Sequence, residues 1–188
     1  MTESNPTSSQ ADLFSRSASR LATLFYSGLS DLGQFESVAV DSLPDDAKML
    51  LAHHDHMTVT LEAFHQSPMV VTAQREFRDD ASYGRVSTLS RQTEGGVVQF
   101  GVIRIWLADL PVAARDGILN KRAPLGRVLI EQNVLREVEL ITLWKITAGP
   151  VLQHFLNVRA DEPVYGRTAQ ILVDERPTVQ LLEIVKLM

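Results

Sequence analysis

Residues 164–187, VYGRTAQILVDERPTVQLLEIVKL, are the stretch from which the rest of the chain can be read. Two runs rich in Val, Ile and Leu, Val164 to Val173 and Thr178 to Leu187, flank Asp174-Glu175-Arg176-Pro177. Apolar, β-branched runs separated by a cluster of turn formers read as two antiparallel strands joined by a hairpin. Inside the second run Glu183 stands among Leu181, Leu182, Ile184 and Val185. A carboxylate there either faces water or is buried with a purpose, and alternation alone leaves both open.

Upstream, Val134 to Ile146 alternates well enough for a long strand, with Val138, Leu140, Thr142 and Trp144 on one side. Three more runs, Val70 to Phe77, Arg85 to Arg91 and Val97 to Trp106, have the same character, and Thr93-Glu94-Gly95-Gly96 sits between the last two as a turn. Helical spacing appears elsewhere. Leu13, Phe14, Leu21, Leu24 and Phe25 share a face, with Asp12 placed to cap and Gly28 to stop. After Leu43-Pro44-Asp45 a second helix carries Met49, Leu50, His53, Met57, Leu61 and Phe64 at intervals of three and four. Leu110-Pro111 opens a short helix to Leu119, and Pro124-Leu125-Gly126 opens another segment. The order is helices, three strands, a helical interruption and three strands. That predicts an α+β fold: a single antiparallel sheet of about six strands with helices on one face.

The composition narrows the function. Hydrophobic residues are 45% of 188, enough for a substantial core without staples, and Cys is 0. That excludes disulfides, thiolate metal sites and a cysteine nucleophile, and it suits a reducing cytoplasm. A net charge of -5 argues against an electrostatic binder of nucleic acid or membrane surfaces. No run approaches the ~18 apolar residues of a membrane span. Residues 1–11 have almost nothing apolar to bury, which predicts a disordered tail before one domain over 12–188. The start lacks the basic-then-apolar order of a signal peptide. No sequence feature fixes an oligomeric state.

His53, His54, Asp55, His56, Glu62 and His65 cluster within one stretch. Imidazole and carboxylate are metal ligands, but H-E-x-x-H spacing is absent and no four-ligand set assembles, so no metal is expected. There is no G-x-S-x-G elbow and no phosphate-cradling loop.

The run Met49-Leu50-Leu51 through His56-Met57-Thr58 and Leu61-Glu62, followed by a strand ending Arg75-Glu76-Phe77, resembles the chorismate pyruvate-lyase family. Arg85-Val86-Ser87-Thr88-Leu89, Ala108-Asp109-Leu110-Pro111, Pro124-Leu125-Gly126, Gly166-Arg167 and Glu183 follow in the family's order over about residues 45 to 185. The resemblance is to the divergent branch that forms 4-hydroxybenzoate. It implies a cofactor-independent lyase that eliminates pyruvate from chorismate. Arg85 would then fix the ring carboxylate through its planar fork, and Glu183 would act as acid or base near the departing ether. In a dry pocket such a carboxylate favours its protonated form. Met57 and Leu125 would supply apolar walls and nearby backbone groups. The implied partner is a small molecule, chorismate or a related aromatic carboxylate, with no nucleic acid or membrane.

A competing reading is a non-catalytic binding domain of the same fold, as in the ligand-binding domains of some transcription regulators. Such regulators carry an upstream helix-turn-helix. The ~45 residues before the match are acidic and Ser-rich, which, with both Arg85 and Glu183 present, favours the enzyme.

Overall fold

The computed structural model describes residues 17–93 and 95–187. The predicted tail over residues 1–11 and the Asp12 cap lie outside them. Among the described residues seven strands form one antiparallel sheet: β1 (Gly33–Val38), β2 (Met69–Arg78), β3 (Tyr83–Arg91), β4 (Val97–Ile105), β5 (Arg136–Ala148), β6 (Pro163–Val173) and β7 (Arg176–Val185). Their spatial order is β1-β5-β6-β7-β4-β3-β2. The α+β class and the single antiparallel sheet stand as predicted, with one strand more than the sequence showed. That strand, β1, is a six-residue edge pairing only β5, and its half-polar GQFESV lacks the apolar density of the others.

Among the described residues six α-helices accompany the sheet: α1 (residues 17–22), α2 (Asp45–Leu51), α3 (Met57–His65), α4 (Val112–Leu119), α5 (Leu125–Glu131) and α6 (Pro150–Leu156). Helices on one face only is corrected, because both faces are covered. Helices α2 to α5 pack over one face, against residues such as Tyr83, Ile103, Leu143, Ala169, Ile171 and Leu181. Helices α1 and α6 pack over the other, against Val86, Phe100, Val102, Trp144, Leu182 and Ile184. The inner strands are apolar on both sides, so each face needs a cover.

Two further expectations change. The β5 residues Val138, Leu140, Thr142 and Trp144 do not share a side. A bulge between Leu140 and Thr142 leaves Ile141 unpaired, and side-chain direction inverts across it. Val138 faces α4 and α5, whereas Trp144 packs on the opposite face beside Phe35, ring centroids 5.7 Å apart. The second helix is not continuous either. It breaks at Ala52, whose φ of -91° and ψ of 56° leave the helix, and resumes at Met57. His53 explains the break: its Nε2 donates to the Leu50 carbonyl at 2.7 Å, the acceptor a continuing helix would offer to His54.

Candidate functional site

Strand pairing places the site residues in rows. Directly opposed residues in an antiparallel ladder point to the same side. One row across the sheet is Ser87, Gly101, Glu183, Arg167 and Leu143; the next is Arg85, Ile103, Leu181, Ala169 and Leu140. A third contains Leu89, Gln99, Val185 and Tyr165. Arg85, Ser87, Gln99, Gly101, Glu183 and Arg167 from these rows form the floor of a small cavity of about 50 Å³, the space open to the centre of a water molecule. Its roof is the start of α3, at His56, Met57 and Thr58, and the start of α5, at Pro124, Leu125 and Gly126. The roof closes tightly because Gly126 has no side chain. A Cβ there would stand 3.0 Å from the Cβ of His56.

Arg85 is 2% exposed and lines the cavity, yet its Nε and Nη1 have no hydrogen-bond partner. Glu76 lies opposite it on β2 but pairs with Lys121 at 2.8 Å instead. Burial pushes the guanidinium below its ordinary pKa, with Tyr83 and Glu76 opposing that shift. A buried cation with two of its three nitrogens unpartnered is costly and points to an anionic ligand.

Glu183 faces inward, which alternation had left open, and it is not alone. Arg167, 1% exposed, stands opposite it on β6 and donates from Nε to Glu183 Oε2 at 2.7 Å. Glu183 is therefore paired with a guanidinium through a charge-assisted hydrogen bond. The rest of the Arg167 fork holds the α2–α3 connection. Nη1 donates to the His53 carbonyl at 3.0 Å and Nη2 to the Asp55 carbonyl at 3.2 Å. Arg167 thus joins the cavity floor to the loop that leads into its roof.

Met57 and Leu125 are both buried first residues of their helices, α3 and α5, and both line the cavity. Gln99, 4% exposed, lines the cavity with its Oε1 unpartnered. His56 lines it too, and Arg136 donates from Nε to its Nε2. Burial, then Arg136, holds the His56 ring down to about 4, with Glu183 opposing.

The structure therefore brings Arg85, Glu183, Met57 and Leu125 to one cavity. The histidines do not converge as a metal cluster: His54 Nδ1 donates to the Val138 carbonyl at 3.0 Å, and the His53 ring serves the loop backbone. No group of three or more His, Cys, Asp or Glu side chains placed to hold a metal ion occurs among the described residues. Sequence reasoning missed Arg167 as a partner and Gln99 altogether. Both are polar residues inside apolar strands, the signal that drew attention to Glu183.

No protein-family model matches the chain, and no curated protein matches it either. Solved structures do. The crystal structure of PhnF from Mycobacterium smegmatis superposes with a TM-score of 0.54 at 10% sequence identity, covering 70% of this chain and 63% of that one. The fold is the chorismate lyase-like fold. The chain spans under two thirds of the length of PhnF. At a TM-score of 0.48 and 11% identity it also resembles the ligand-binding domain of a putative GntR-family transcriptional regulator from Bordetella bronchiseptica, over 63% of this chain and 85% of that one. A third likeness, at a TM-score of 0.44 and 12% identity, is to the C-terminal domain of a histidine utilization repressor from Pseudomonas syringae, over 62% of this chain and 90% of that one.

These findings overturn the expectation of a chorismate pyruvate-lyase. Two of these structures are described as a transcriptional regulator's ligand-binding domain and a repressor's C-terminal domain, and none of the three as a lyase, although the fold is the one the sequence pointed to. The same fold serves catalysis and binding, so the likeness establishes the scaffold. Among the described residues no helix is long and apolar enough to cross a membrane.

Proposed function

We propose that the protein is a non-catalytic binding domain for a small aromatic carboxylate, held in the cavity between the sheet and the starts of α3 and α5. One observation carries this reading. Arg85 is buried, lines the cavity and keeps two nitrogens without partners. A planar fork with free donors matches a carboxylate, which would neutralise the charge and fill the hydrogen-bonding positions together. Met57, Leu125, Ile103, Val138 and Leu181 give the same cavity apolar walls suited to a ring. Glu183, tied to Arg167, contributes a second polar group held in place at the cavity floor.

The test uses 4-hydroxybenzoate as probe. At a concentration ~100-fold above its Kd a ligand specific to the folded state stabilises by about 2.7 kcal/mol, visible as a raised Tm. Wild-type protein should show that rise, and Arg85→Met should lose it, since a charge-assisted bond contributes about 1.5–3 kcal/mol. An equal rise in both proteins would remove Arg85 from the site. Release of pyruvate from chorismate would overturn the non-catalytic reading.

A further inference from the structure

Gln99 stands apart from the groups used so far. It lies on β4 in register with Leu89 and Val185, one row beyond Glu183 and two beyond Arg85. Its side chain is 4% exposed and lines the cavity, and its Oε1 has neither a partner nor contact with water. The amide leans over the neighbouring row, where Gly101 leaves the floor bare. Its Nε2 lies 3.8 Å from the place a Cβ on Gly101 would occupy, an ordinary contact distance. A buried carboxamide oxygen without a hydrogen bond is costly, and its natural compensation is a polar group brought by a ligand.

The spacing says which part of the ligand that is. Gln99 pairs with Leu89, four residues along β3 from Arg85, a strand rise of about 13 Å. A ligand anchored at Arg85 by its carboxylate meets the Gln99 amide only through a group on its far side. We infer that Gln99 is a specificity-determining residue that reads a hydroxyl, or a similar hydrogen-bonding substituent, opposite the carboxylate of the ligand. A hydroxyl both donates and accepts, so it satisfies the carboxamide through either end. A ligand with hydrogen at that position leaves the amide as it stands in the free protein and gains nothing from it. This inference rests on the carboxylate-binding reading of the same cavity.

The experiment is calorimetric titration of the full chain with two probes, 4-hydroxybenzoate and benzoate, which share the carboxylate and differ only at the far side. Wild-type protein should prefer 4-hydroxybenzoate by about tenfold, the scale of one buried hydrogen bond. Gln99→Leu keeps the bulk and removes the amide, and Gln99→Asn keeps the amide but withdraws it by one methylene. Each should bring the ratio to within about twofold while leaving benzoate binding in place, and each serves if the other fails to fold. Arg85→Met should weaken both probes in parallel, which separates the anchor from the reader. A preference that survives in the folded Gln99 variants overturns the inference and leaves the carboxylate site standing. Wild-type protein that binds neither probe overturns both.

Discussion

The two faces of the sheet are made by the same strands and behave differently. On the α1/α6 side β3, β4 and β7 present Val86, Phe100, Val102, Leu182 and Ile184, all fully buried, with Phe100 against Phe155 at 5.6 Å between ring centroids. On the α2–α5 side, residues interleaved with them are Arg85, Gln99, Gly101 and Glu183. The glycines mark the contrast. Gly166 faces the closed side, where a Cβ would lie 2.9 Å from the Glu183 carbonyl oxygen and 3.1 Å from Ile184. Gly101 faces the cavity, and nothing lies within 3.8 Å of the same position. One face is complete in itself. The other carries a cavity and buried polar atoms without protein partners, the features on which the proposed binding site rests.

Breaking the closed face should have the largest effect. Phe100→Ala removes a fully buried ring and should cost about 3–5 kcal/mol in chemical denaturation. Arg85→Met, on the cavity face, should act in the opposite direction when no ligand is present, raising stability by about 1–3 kcal/mol while abolishing ligand binding. A destabilised Arg85→Met would mean the guanidinium supports the fold, and the contrast between the faces would lose its main support.

The glycines sharpen the comparison at a smaller scale. Gly166→Ala forces backbone or Ile184 to move and should cost about 1–3 kcal/mol. Gly101→Ala meets only ordinary contacts and should stay within about 0.5 kcal/mol. Equal costs at the two positions would deny that the cavity floor is open.

The smallest effect concerns pH. His56 ionises at about 4 in the fold and at 6.5 in the unfolded chain, so the unfolded state binds more protons between those values. Its contribution is complete above pH 6.5 and is lost as pH falls from there toward 4. His53 is also lowered, by burial and then by Arg167, and acts in the same direction. Tm measured at pH 7.5 and pH 5 should fall by a few degrees, and His56→Gln should shrink that fall. An undiminished fall in the variant would assign the pH dependence to other groups.

Much of this was legible in the sequence, and its limits are physical. Apolar, β-branched runs bounded by turn formers located six of the seven strands, because strands buried on both faces read as nearly continuous apolar runs. Asp174 and Glu175, with φ of 49° and 64°, form the two-residue turn that the local cluster announced. Residue order along the chain also pointed to the scaffold and to Arg85, Glu183, Met57 and Leu125 as neighbours. What it did not separate was binding from chemistry, since both use the same scaffold positions.

The pairing of Arg167 with Glu183 shows where local reading ends. From the turn, Val173 pairs Arg176 and Leu172 pairs Pro177, a register that would carry Arg167 to Leu182 and leave Glu183 beside Gly166. The register shift between Ile171 and Leu172 sets Thr178 aside as an extra residue on β7, and Arg167 meets Glu183 instead. The Thr178 carbonyl accepts from Trp106 N at 3.0 Å, so a distant segment helps hold the bulge. A one-residue slip changes the face on which a side chain lies, and strand period alone cannot see it. The sequence by itself determined the strands, the turn and the residues available to the cavity. Only the tertiary structure decided which guanidinium is paired with a carboxylate and which is not, because that depends on register and packing partners far away along the chain.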